Sequence, residues 1–134
     1  MTPRFLDTSF FLALAFASDQ SHLAAPQLYR RLPVDYLTTE YILDEFLDAT
    51  SGVSSRAVGA NVVDLLRCER RIQMIPASTR LFDSGLDLYR QRADKEWGLT
   101  DCISFVVMQQ HGVTDALTAD HHFEQAGFRA LLRT

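Results

Sequence analysis

An α/β domain built on a mainly parallel sheet is the fold this sequence predicts, and three observations carry the prediction. Short apolar runs such as "RFL" and "RIQMIP" alternate along the chain with longer segments of helical periodicity. The joints between them hold Ser, Thr, Asp or Gly, residues that start and stop helices. The 134 residues contain no repeat, low-complexity tract or linker, so a single domain over 1–134 with one core is expected.

In order, Arg4-Phe5-Leu6 reads as a short buried strand. Phe10 to Ala17 is apolar nearly all round and reads as a central helix. Ser21 to about Leu32 is helical, with Pro26 either near its first turn, where a missing N–H does no harm, or kinking it. Asp35 to Thr38 is a second strand, and Glu40 to Ala49 a helix with Ile42, Leu43, Phe46 and Leu47 on one face. Gly52 breaks the chain; Ser54 or Ser55 caps a helix to about Arg70 that turns Val58, Val62, Leu65 and Leu66 inward. Arg71 to Pro76 is a third strand, and Ser78 caps a helix to about Asp94 with Leu81, Phe82, Leu86 and Tyr89 on one side. "LTDCISFVVMQQHG" is apolar enough for a buried strand, but its length, Thr100 as N-cap and Gly112 past the end favour helix. Asp115 to Thr118 is a strand, His121 to Ala126 a helical turn and Phe128 to Leu132 a last strand. Such alternation implies right-handed crossovers.

Composition excludes more than it selects. A net charge of −4 makes no global attraction for nucleic acid, so such a partner would need a local basic patch. Twelve of the thirteen basic residues are Arg, which suits phosphate but also follows from genome composition, so it assigns no site. Cys68 and Cys102 form no CxxC or zinc pattern and suit a reducing cytoplasm. The first fifteen residues lack the marks of a signal peptide, and the run Phe10–Ala17 is far too short to span a bilayer, so no membrane association is expected.

Four acids stand where chemistry is done in such folds. Ligand sites of open α/β sheets lie beyond the carboxyl ends of the strands. Asp7 ends the first strand, Asp120 follows the strand "DALTA", Asp101 opens a helix, and Glu45 lies in the helix after the second strand. Singly, Asp7 is a plausible helix cap, Asp101 a favourable first-turn charge and Asp120 an Asx turn. Spacing alone does not select Glu45 among Glu40, Asp44 and Asp48. Together in one pocket the four would need a cation, because like charges raise one another's pKa. Oxygen ligands favour Mg²⁺ or Mn²⁺ over zinc, and metal-assisted phosphodiester hydrolysis uses such a set. The histidines read otherwise: His111 sits at a helix end, and His121 and His122 read as exposed or as neighbours of Asp120. Cys102 reads as a buried small hydrophobe.

"FLDTSFFLAL", "TTEYILDEFL", "LTDCISFVVM" and "ALTADHHFEQAGF" occur in this order and resemble the four acidic motifs of PIN-domain ribonucleases, most closely the VapC-like toxins. The resemblance spans essentially the whole chain. It puts the family's acids on Asp7, Glu45, Asp101 and Asp120, and its small hydroxyls on Thr8, Thr39 and Thr118. "SDQSH", with His22, resembles the family's acidic-then-His stretch. What it implies is a three-layer α/β/α fold with a five-stranded parallel sheet and a Mg²⁺-dependent endoribonuclease acting on RNA. It further implies a cytoplasmic homodimer held in check by a small antitoxin. On this reading a divalent ion, rather than a side chain, compensates Asp7. Two alternatives stand beside it: a PIN nuclease of RNA processing without an antitoxin, and a non-catalytic α/β interaction domain. A receiver-like domain lacks support, since no acid adjoins Asp7 and Lys95 is the only lysine; "DTS" also lacks the second Asp of a haloacid-dehalogenase phosphatase.

Overall fold

Residues 2–31 and 34–133 are described by a computed structural model of the chain. Five strands, β1 (Arg4–Leu6), β2 (Tyr36–Thr39), β3 (Ile72–Ile75), β4 (Asp115–Leu117) and β5 (Arg129–Ala130), form one sheet in the order β3-β2-β1-β4-β5. Every pairing is parallel, with Phe5 opposite Leu37 on one side and Ala116 on the other. Seven helices join them: α1 (Thr8–Ala15), α2 (Ala24–Arg31), α3 (Glu40–Ala49), α4 (Arg56–Cys68), α5 (Thr79–Gln91), α6 (Leu99–Gln110) and α7 (His121–Gln125). The strand order runs outward from β1 to β3, then reverses through β4 to β5. Right-handed crossovers therefore put α1–α4 on one face and α5–α7 on the other, the expected α/β/α sandwich. The reversal makes β1 and β4 the switch point, where side chains beyond the strand ends flank an open crevice.

Both faces of the central strands are covered, so neighbouring residues along β1, β2 and β4 are buried alike instead of alternating, Thr38 and Thr39 included. Phe5, Leu6, Leu37, Ala116 and Leu117 are at most 1% exposed. On the first face Phe11 meets Phe46 edge-on at 5.8 Å. On the second, Phe105 meets Phe123 edge-on at 5.0 Å, and Phe123 lies 6.2 Å from Phe5.

Element boundaries move by one to three residues from expectation, for local reasons. α1 starts at Thr8 rather than Phe10 because Asp7 caps it. β2 runs to Thr39, whose hydroxyl then accepts the Ile42 N–H at 3.1 Å and caps α3. α6 begins at Leu99 behind Gly98, not behind Thr100. α2 starts at Ala24 with Pro26 in its first turn, and the expected end at Leu32 lies outside the described residues. β3 is trimmed to Ile72–Ile75 and β5 to Arg129–Ala130. α4 and α5 stop short of the expected Arg70 and Asp94. Ser55 stands at the head of α4, but its hydroxyl donates backward to the Thr50 carbonyl at 2.9 Å instead of capping. Ser78 caps α5 as expected, accepting from the Leu81 N–H at 3.1 Å. Gly112, past α6, takes φ 64°, a left-handed value suited to glycine.

Inward faces differ more. Leu65, Val58 and Leu47 are exposed, and α4 turns Gly59, Val63 and Leu66 inward. Phe82 and Tyr89 likewise face outward on α5, whose buried face is Leu81 and Gly85. Gly85 permits α5 to approach α6: a Cβ there would stand 2.3 Å from Ile103 Cγ1.

Candidate active site

The crevice between β1 and β4 is floored by Asp7, the residue after β1, whose N–H reaches the Leu117 carbonyl at 3.4 Å. Asp7 is 5% exposed, and three donors converge on Oδ2: Thr118 Oγ1 at 2.7 Å, Ser9 Oγ at 2.9 Å and the Ser9 N–H at 3.4 Å. Asp7 is thus both a helix cap and a buried acid. Side chains do share its charge, contrary to the expectation that only an ion would. Yet all three donors are neutral, and burial outweighs them, pushing its pKa up to about 6. The nearby Asp101 charge adds to the rise.

Thr118 and Ser9 lock the two strand ends together. Thr118 Oγ1 also accepts the Asp120 N–H at 3.0 Å, and Ser9 Oγ accepts the Ala119 N–H at 3.0 Å. Asp120 caps α7, accepting the His122 N–H at 2.9 Å. Asp101, in the first turn of α6, accepts the Gly98 N–H at 3.3 Å and faces His122 Nδ1 at 3.0 Å. Its pKa rises, chiefly through burial and further through the Asp120 charge, while the His122 contact opposes the rise. Glu45 projects from mid-α3 and accepts the Thr8 hydroxyl on Oε1. Burial raises its pKa too; the Thr8 bond opposes this, and the Asp101, Asp120 and Asp44 charges add to it.

All four acids named from the sequence are therefore near neighbours: the Asp101 charge acts on Asp7 and Glu45, the Asp120 charge acts on Glu45 and Asp101, and Thr8, Ser9, Thr118 and His122 make their polar contacts. Thr39 is not among them; it caps α3 and so sets the phase that turns Glu45 into the crevice. His22 is not there either, its Nδ1 lying 2.7 Å from the Ala13 carbonyl at the end of α1. His111 Nδ1 lies 2.9 Å from the Val107 carbonyl, closing the end of α6, and Cys102 is buried with its pKa raised by that burial. Ser9 was missed as a direct partner of Asp7, whereas His122, expected at the surface or beside Asp120, contacts both Asp120 and Asp101. The signal for Ser9 was present: a hydroxyl two residues past a capping Asp sits over the same carboxylate.

Among the described residues no Lys or Arg pairs with any of the four acids; the only basic partners are His121 and His122. The four carboxylates, three of them held above their ordinary pKa by burial, lie close enough to feel one another's charge, and no Lys or Arg side chain among the described residues balances them. Oxygen donors of this chemistry suit a hard divalent ion.

The profile of the PIN domain matches residues 4–129. The 23S rRNA-specific endonuclease VapC20 of Mycobacterium tuberculosis, from strains CDC 1551 / Oshkosh and ATCC 25618 / H37Rv, is 30% identical over 127 residues, covering 92% of this chain and 94% of the relative. The crystal structure of M. tuberculosis VapC20, described as a sarcin-ricin loop cleaving toxin, superposes with a TM-score of 0.84 at 24% identity over 92% of this chain and 95% of that one.

Proposed function

The chain belongs to the PIN-domain family, and from that premise we propose that it is a divalent-metal-dependent endoribonuclease, the toxin of a VapBC-type toxin–antitoxin pair. What supports the reading is that Asp7, Glu45, Asp101 and Asp120 lie within one another's fields near the switch point of the sheet, with no Lys or Arg paired to them among the described residues. The ribosomal RNA specificity of the VapC20 relatives makes 23S rRNA the first substrate to test.

In this proposal Asp7, Asp101 and Asp120 hold Mg²⁺ or Mn²⁺, with Glu45 completing the set. The ion would supply an activated water and offset charge on the scissile phosphate. The chain's own residues do the rest. Ser9 and Thr118 orient Asp7 through Oδ2, leaving Oδ1 without a share in those three bonds. Thr8 holds Glu45, whose raised pKa suits it to take a proton from the attacking water. The pocket repels RNA phosphate until a cation is bound, so cleavage requires the metal. An antitoxin that put an Arg or Lys among the carboxylates would replace the ion's charge and block phosphate entry. The proposal extends to a homodimer, whose partner copy would cover exposed Phe82 and Tyr89 on α5, and to a cytoplasmic location.

The direct test is cleavage of 23S rRNA by the purified chain with MgCl₂, with EDTA, and with Asp101→Asn protein. Cleavage confined to wild type with metal supports the reading, and cleavage by Asp101→Asn protein at the wild-type rate removes it.

A further inference from the structure

α7 begins with two histidines directly after Asp120, and one donor atom from each of Asp120, His121 and His122 lies within 4.8 Å of the other two. Asp120 Oδ1 stands 3.4 Å from His122 Nδ1 and 3.7 Å from His121 Nδ1, while Asp101 Oδ2 stands 3.0 Å from His122 Nδ1. Two ligands held at about 2.0–2.1 Å by a tetrahedral Zn²⁺ lie about 3.3 Å apart. The two separations from Asp120 to the imidazoles, 3.4 and 3.7 Å, lie just above that edge, so seating an ion asks these donors to close in by a few tenths of an ångström. This donor set differs in kind from the four carboxylates of the catalytic crevice, because it contains two imidazoles. Imidazole suits Zn²⁺, Ni²⁺ and Cu²⁺, whereas Mg²⁺ keeps to oxygen. His121 is half exposed, with its side chain 57% accessible, so an ion can reach the site from solvent.

We propose that Asp120, His121 and His122 form a second metal site, selective for Zn²⁺ over Mg²⁺, and that filling it inhibits the enzyme. The binding half stands on the donor geometry alone; the inhibitory half rests on the nuclease reading above. Asp120 belongs to both sets, so an ion bound with the imidazoles withdraws that carboxylate from the catalytic metal. The same ion takes His122 Nδ1 away from Asp101, releasing a second catalytic acid from the contact that orients it. Zn²⁺ therefore acts against Mg²⁺ by competition for a shared ligand, and more Mg²⁺ is needed to restore cleavage.

Calorimetric titration of the chain with ZnCl₂ in excess MgCl₂ tests the binding. Cys68 is an exposed thiol and an alternative zinc ligand, so the titrations use Cys68→Ser protein. Saturable binding is expected, weakened at least about tenfold by His121→Gln and again by His122→Gln. Co²⁺ in place of Zn²⁺ should give visible absorption bands in the parent chain that are lost in His121→Gln protein. In RNA cleavage, the Zn²⁺ concentration for half inhibition should rise at least about tenfold in His121→Gln protein, measured against that variant's own rate with Mg²⁺ alone. Absence of saturable Zn²⁺ binding, or an affinity unchanged by both His substitutions, overturns the site. Zn²⁺ binding that needs both histidines but leaves cleavage uninhibited overturns its inhibitory role. A chain that cleaves no RNA with any metal fails the nuclease reading instead, while calorimetry still decides whether the site exists.

Discussion

Replacing Asp7 by Asn should make the metal-free protein more stable at neutral and alkaline pH. Asp7 titrates near 6 when folded against 3.8 as a free side chain. The folded state therefore binds its proton more tightly than the unfolded state does. The stability linked to this group is fully present below pH 3.8 and is lost as pH rises to about 6. A rise from 3.8 to about 6 corresponds to a loss of about 3 kcal/mol at 1.36 kcal/mol per pH unit. Asn keeps the volume, still accepts the Ser9 and Thr118 bonds and remains a good N-cap, but buries an amide at a cost of about 1 kcal/mol. The variant should gain about 2 kcal/mol at pH 8 in EDTA, and the gain should shrink to near zero by about pH 4.5. That is several degrees in Tm for a chain of this size. Urea unfolding across this pH range, followed by circular dichroism, measures it. With Mg²⁺ at about 100 times its Kd the wild type should recover about 2.7 kcal/mol, and Asp7→Asn protein much less. A variant no more stable than wild type at pH 8, with a difference indifferent to pH, would refute the claim that burial without a cation is what strains this site.

Other outcomes follow from the same geometry. Asp101→Asn should lower Mg²⁺-dependent RNA cleavage by more than about 100-fold if, as proposed, Asp101 is a ligand rather than a supporting contact; rates on one RNA with matched metal decide this. Thr118→Val removes the 2.7 Å donor to Asp7 and should weaken Mn²⁺ affinity by about 10–100-fold, read by titration without any RNA present. Gly85→Ala should cost about 1–3 kcal/mol in urea unfolding, because its Cβ would overlap Ile103 by more than helix propensity can offset. If an antitoxin reaches the acids with an Arg or Lys, changing that residue to Ala should cost about 2–5 kcal/mol of affinity, and excess Mg²⁺ should weaken inhibition. Inhibition unaffected by both would mean that the antitoxin occludes the RNA path elsewhere.

By itself the sequence determined the order and kind of every element, because periodicity and caps are local: a helix of 3.6-residue period or a short apolar run announces itself within about a dozen residues. Ser78 and Gly112 were legible for that reason, and three of the four acids were marked by their place at strand or helix ends. Glu45 was not, since mid-helix acids at neighbouring positions differ only in which one the tertiary fold turns into the crevice; motif resemblance selected it where pattern could not. Only the fold decided that β1 and β4 are neighbours, and hence that Ser9 and Thr118, more than a hundred residues apart, share the Asp7 carboxylate. The same holds for His122 against Asp101, and for the outward turn of Leu65 and Phe82, whose helices bury a narrower stripe than their sequences offer. Strand pairing and helix docking are long-range choices set by total burial and chain connectivity, so the contacts they create leave no mark in the local pattern of residues that make them.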